Sequence, residues 1–205
     1  MKALLKRYII TFVAGIVVFA IGKLLFLFLN GSVYQHISVA EVFRILYHGF
    51  SMDCTVAAYV AALPSLAWCV ALWTGSKGAL DTVMRIYFAL IAMALSLCIG
   101  LDAVLYGYWQ FKLDITPFSY FLSSPSAAFA SAVWWQILLG VLGWIVLSVA
   151  IYWLYVWGVL KLGGIITRVY PLGKRIWCTV GGVLLTALLF VPIRGGFTVS
   201  TMNLS

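Results

Sequence analysis

Charge is what this sequence has least of: 9% of its 205 residues are Asp, Glu, Lys or Arg. A soluble domain carries roughly 25%, because its surface needs groups that water solvates. The shortage excludes an ordinary water-soluble globule. Acidic side chains are rarer still, five in all, beside two histidines. His36 and His48 stand without a paired ligand, and there is no Gly-rich phosphate loop, no Ser/His/Asp grouping and no other catalytic constellation. Cys54, Cys69, Cys98 and Cys178 show no CxxC or other ligand spacing, which argues against a zinc site or a disulfide framework. Each lies in an apolar run, where a free thiol behaves as a small apolar residue. No cofactor is expected in this chain.

What is plentiful is apolar surface: 65% of the residues are hydrophobic and the mean hydropathy is +1.12. The bilayer is the solvent that tolerates such a chain. A spanning helix needs about 20 predominantly apolar residues to cross about 30 Å of hydrocarbon. Five runs meet that test: Tyr8 to Leu29, Met52 to Trp73, Ile86 to Tyr106, Val133 to Trp157 and Ile176 to Ile193. The first ends Leu27-Phe28-Leu29-Asn30, without a small-x-small cleavage site, so it reads as a retained helix rather than a signal peptide. The expectation is an all-α integral membrane protein, a single domain over residues 1–205 with five transmembrane helices.

Orientation follows from the cations. With the N-terminus inside, nine fall on the cytoplasmic side: Lys2, Lys6, Arg7, Lys77, Arg85, Lys161, Arg168, Lys174 and Arg175. Four fall outside: Arg44, Lys112, Arg194, and Lys23 near the outer end of the first helix, able to snorkel. Positive loops stay cytoplasmic, which puts the C-terminus outside. The net charge of +8 therefore points to anionic lipid headgroups rather than nucleic acid.

The outer segments carry the information. In the first, Val39, Val42, Phe43, Leu46 and Tyr47 recur at helical spacing, Ser38 can cap the start and Gly49 can end it. That pattern predicts a short amphipathic helix in the interface. The second, Tyr106 to Ser131, is dense in rings, with Tyr106, Tyr108, Trp109, Phe111, Phe118, Tyr120, Phe121 and Phe129. Interleaved are Lys112, Asp114, Thr116 and the breakers Pro117 and Pro125. It reads either as an aromatic belt at headgroup level or as a platform holding acyl chains while Lys112 and Asp114 meet a headgroup. Asp53 and Asp102 fall in the outer half of the bilayer, where a carboxylate implies a partner or a water-filled cavity. Arg194, Lys112 and Arg44 are the cations available to them, and Arg194, before Gly195-Gly196, stands where backbone amides could approach an anion.

These residues also resemble a family. His48-Gly49-Phe50-Ser51-Met52-Asp53, then Ala58-Tyr59 and Leu63-Pro64, resembles the start of the second helix in bacterial lipoteichoic-acid-synthase-like membrane sulfatases. These are phosphoglycerol transferases of the alkaline phosphatase superfamily. Asp102, Tyr106-Gly107-Tyr108-Trp109, Lys112-Leu113-Asp114-Ile115-Thr116-Pro117-Phe118-Ser119-Tyr120-Phe121 and Pro125 are similar to their third-helix exit and following loop. Pro192-Ile193-Arg194-Gly195-Gly196, with Ser200 and Asn203, is similar to the segment leaving their fifth helix. Ser51 and Lys112 stand where the family pattern has arginine, which weakens bidentate phosphate recognition.

The resemblance implies the membrane domain of a cell-envelope phosphoglycerol or phosphoethanolamine transferase in the bacterial cytoplasmic (inner) membrane. The family's extracytoplasmic catalytic domain, with its threonine nucleophile and divalent metal, usually manganese, is absent from this sequence. Either the sequence is a truncated piece of such an enzyme, or a separately encoded catalytic partner would complete it. Asp53, Asp102, Tyr106, Tyr108, Trp109, Lys112, Asp114 and Arg194 are the candidate headgroup-binding residues. The other reading is a stand-alone membrane scaffold or small transporter, although neither repeated halves nor paired broken helices are visible.

Overall fold

The computed structural model describes residues 2–34, 37–74, 77–110, 112–124, 133–163 and 170–194. Helix α1 is Lys2–Leu29, α2 Val39–His48, α3 Phe50–Thr74, α4 Lys77–Trp109 and α5 Thr116–Ser123. Helix α6, Trp134–Tyr155, widens into a π-helical segment, Val156–Leu162, and α7, Leu172–Leu188, leads into the short α8, Phe190–Ile193. Among the described residues there is no strand. Five helices are long and apolar enough to cross a membrane: Lys2–Leu29, Phe50–Thr74, Gly78–Tyr108, Trp134–Leu162 and Leu172–Ile193. The protein is an all-α, multi-pass membrane protein.

Several boundaries differ from the hydropathy runs, and the reasons are local. Some runs stop at a charged residue, as the one from Ile86 does at Arg85, whereas a helix end can carry charge while its apolar middle sits in lipid. Helix α4 thus begins at Lys77, nine residues ahead of the run starting at Ile86, and the fourth span continues through its π-helical turns to Leu162. Pro117 does not break a helix; it is the second residue of α5, in the first turn, where a missing N–H is harmless. Helix α2 has the expected caps. Ser38 Oγ accepts the Glu41 N–H, the Glu41 carboxylate accepts the Ser38 N–H at 2.7 Å, and the Gly49 N–H donates to Ile45 O.

Packing depends on small residues and on polar groups answered inside the membrane. Gly15 lets α1 approach Ala57 of α3 so closely that a Cβ there would overlap it. Pro64 has no N–H for the Val60 carbonyl one turn back. The Tyr87 hydroxyl of α4 donates to that carbonyl at 2.8 Å, an answer lipid could not supply. The Tyr8 hydroxyl of α1 lies within bonding distance of Ser65 O (3.1 Å), Gly182 O (2.9 Å) and Thr186 Oγ1 (2.9 Å), tying α1, α3 and α7 together. Ser96 and Ser148 meet at 2.6 Å and the Trp144 indole donates to Met93 O at 3.0 Å, joining α4 to α6. At the N-terminal end Arg7 is buried, 4.0 Å from Asp81 and with its guanidinium 5.8 Å from the centre of the Trp68 ring.

Candidate functional site

Two separate charged pairs form at the end of the bundle opposite the N-terminus. The first is buried between α1 and α3: Lys23 Nζ donates to Asp53 Oδ2 at 2.6 Å. Antiparallel neighbours bring these two positions to one depth. Asp53 therefore takes Lys23 as its cation, and not Arg194, Lys112 or Arg44. Gly49 makes room for it, since a Cβ there would collide with the Lys23 ammonium.

The second pair is built from the end of α1, the end of α4 and the segment between α4 and α5. Asn30, buried, donates from Nδ2 to Phe26 O (3.0 Å) and Ala103 O (2.9 Å), pinning α1 to α4. Tyr34 stacks on Tyr106, with ring centres 6.2 Å apart and planes 14° from parallel, and its hydroxyl donates to that of Tyr106 at 2.9 Å. That hydrogen bond pushes the Tyr34 hydroxyl up to about 12. Phe26 meets Tyr106 edge to face at 4.8 Å. Gln110, in the left-handed region at φ 58°, marks the reversal after α4. Lys112 then reaches Asp102 Oδ2 at 3.0 Å, while Asp102 Oδ1 accepts the Leu113 N–H at 2.9 Å. The same ammonium stands 3.2 Å above the Phe26 ring centre and 5.7 Å from that of Tyr106. An ammonium held between a carboxylate and aromatic faces is the geometry in which cation–π attraction adds to ion pairing.

The remaining candidates do not all join this cluster. Asp114 accepts from the Thr116 N–H and Oγ1, both at 2.9 Å, closing an Asx-type turn just ahead of α5. Tyr108 is exposed, its hydroxyl 3.4 Å from Gln136 Nε2. The backbone of Trp109 closes α4; its side chain lies outside the described residues, as do Phe111, Pro125, Gly195 and Gly196. Arg194, exposed, follows α8, which is held against α3 by the Thr55 hydroxyl donating to Pro192 O at 2.8 Å. Among the described residues Arg194 forms no ion pair with Asp53 or Asp102.

Sequence reasoning missed Phe26 near the end of α1 and Asn30 and Tyr34 just beyond it, and it missed Lys23 as a partner. The signal for Lys23 was present: a lone cation late in one apolar run and a lone carboxylate early in the next fall at equal depth in a hairpin. Among the described residues no group of three His, Cys, Asp or Glu side chains could hold a metal ion. No protein-family model, curated protein or solved structure matches the chain.

Proposed function

We propose that this chain is the membrane-anchoring, lipid-engaging domain of a phosphoglycerol- or phosphoethanolamine-transferase-like cell-envelope enzyme. It lies in the bacterial cytoplasmic membrane with its N-terminus inside, and catalysis belongs to an extracytoplasmic domain or partner. The observation that carries this reading is the cluster of Phe26, Tyr34, Asp102, Tyr106 and Lys112. It is a polar, ring-lined cluster on the end where the cation count puts the outer face. Helix α2 supports it. Val39, Phe43 and Tyr47, one turn apart, form an exposed apolar stripe suited to lie in the outer interface. Arg194, exposed on the same end and outside both charged pairs, offers a charge to an anionic headgroup.

Two measurements test the reading. Labelling of intact cells should reach a tag placed after Ser205 and not one before Met1; the reverse sinks the orientation. Phosphatidylglycerol added to the purified chain should raise its thermal stability, and Arg194→Gln should shrink that gain by about 1 kcal/mol or less at this exposed position. A gain unchanged by Arg194→Gln removes Arg194 from the site. For the enzyme assignment, the coding sequence beyond Ser205, or a co-purifying partner, should supply a sulfatase-like catalytic domain.

A further inference from the structure

We infer that the Asp102–Lys112 pair recognises a zwitterionic headgroup, an ammonium joined to a phosphate as in phosphatidylethanolamine, rather than an anionic one. The inference rests on the reading that this end of the bundle engages lipid headgroups, and it names the class.

The cluster already holds a primary ammonium, that of Lys112. It is bonded to the Asp102 carboxylate at 3.0 Å and lies 3.2 Å over Phe26, with Tyr106 beside it. The groups that accept this ammonium are fixed from below. Phe26 is buried, Tyr106 is stacked and hydrogen-bonded to Tyr34, and Asp102 is oriented by the Leu113 N–H. The lysine itself is not fixed, for its side chain is 64% exposed against 26% for Asp102. The pair can therefore open by a swing of Lys112 without unpacking a helix.

What enters must satisfy both partners once they separate. An anionic headgroup such as phosphatidylglycerol would draw Lys112 to its phosphate. Asp102 would then face an anion without a cation of its own, a like-charge contact that selects against that ligand. A headgroup with its own ammonium replaces Lys112 on Asp102 and Phe26, while its phosphate takes the freed lysine. It is the charge complement of the pair.

The experiment measures binding of phosphatidylethanolamine and phosphatidylglycerol to the delipidated full chain in detergent, by native mass spectrometry, with soluble phosphoethanolamine as competitor. The wild type should prefer phosphatidylethanolamine about tenfold, the scale of one charge-assisted hydrogen bond. The two substitutions should move that ratio in opposite directions. Asp102→Asn, which can still accept the Leu113 N–H, removes the ammonium's partner and should bring the ratio close to one. Lys112→Gln frees the carboxylate, withdraws the cation that attracts phosphate, and should widen it. A purely structural pair would lower both affinities together. Wild-type preference for phosphatidylglycerol, or a ratio indifferent to Asp102→Asn, overturns the zwitterion and leaves the headgroup reading standing. Failure of both lipids to bind overturns both. Displacement by soluble phosphoethanolamine at equal concentration would make the free ester, not the lipid, the ligand.

Discussion

Removing the Lys23 charge should be among the most damaging single changes in the membrane core. Asp53 is 5% exposed and Lys23 23% exposed, joined at 2.6 Å, so the pair is shielded from water and from salt. Deleting one partner of a buried pair costs about 3–5 kcal/mol, because the other charge is left unanswered. For Lys23→Met we expect the lower end, about 3 kcal/mol, since the first turn of α3 offers Asp53 some compensation from the helix dipole. Asp53→Leu should cost less, about 2 kcal/mol, because the long stem of Lys23 can carry its ammonium toward the interface. The double variant replaces the pair with apolar groups and should come within about 1 kcal/mol of wild type. Gly49→Ala provides an independent arm. Its Cβ falls on the Lys23 ammonium and should destabilise the wild type while doing little in the Lys23→Met background. Unfolding by SDS titration in mixed micelles can be read by labelling of Cys69 and Cys178, both buried in the fold. Strict additivity, with the double variant as unstable as the two singles combined, would refute the coupling.

The other predictions concern single hydroxyls and one cap. Tyr8→Phe should lower stability by about 1 kcal/mol, because its hydroxyl serves α3 and α7; Tyr155→Phe should leave the melting temperature unchanged or raised, since that hydroxyl is buried with no hydrogen-bond partner among the described residues. Tyr87→Phe should destabilise by about 1 kcal/mol in the wild type and by less in Pro64→Ala, where the residue-64 N–H can answer Val60; equal effects in both backgrounds would contradict the pairing. The Ser38 backbone N–H holds the Glu41 carboxyl below its ordinary 4.5. The stabilisation of α2 by this cap is thus complete above pH 4.5 and is lost as pH falls through the lower folded value. Amide-exchange protection at the start of α2 should follow that course in the wild type, and Glu41→Gln should abolish the pH dependence.

The fold was legible where one physical requirement acts on consecutive residues. A bilayer demands long apolar runs, and five runs became five spans; a capping box demands Ser38 and Glu41 three apart, and α2 followed. The charged pairs were less legible because they are long-range. Asp102 and Lys112 are ten residues apart, and their meeting depends on the reversal at Gln110, a residue with no turn signature. Lys23 and Asp53 meet only once α1 and α3 are seen as antiparallel neighbours. The local bonds of Asp114 were illegible for a different reason. An aspartate two residues before Thr116 and ahead of an apolar stretch can meet the backbone or a ligand on sequence alone, and the structure shows it accepting from the Thr116 N–H and hydroxyl.

Helix α3 is the least hydropathic of the five spans and the most enclosed, with 56% of its apolar window buried against 11% for the fourth and fifth. It also carries a carboxylate, whose insertion at full depth costs about 2.5–3.5 kcal/mol. Such a segment partitions poorly by itself. Synthesis runs from the N-terminus, so α1 is in the membrane, with Lys23 at the matching depth, before Asp53 leaves the ribosome. The α1–α3 hairpin is then the unit that inserts, and it inserts neutral. Biogenesis starts from that hairpin, and α4, α6 and α7 assemble around a helix that lipid alone would hold weakly.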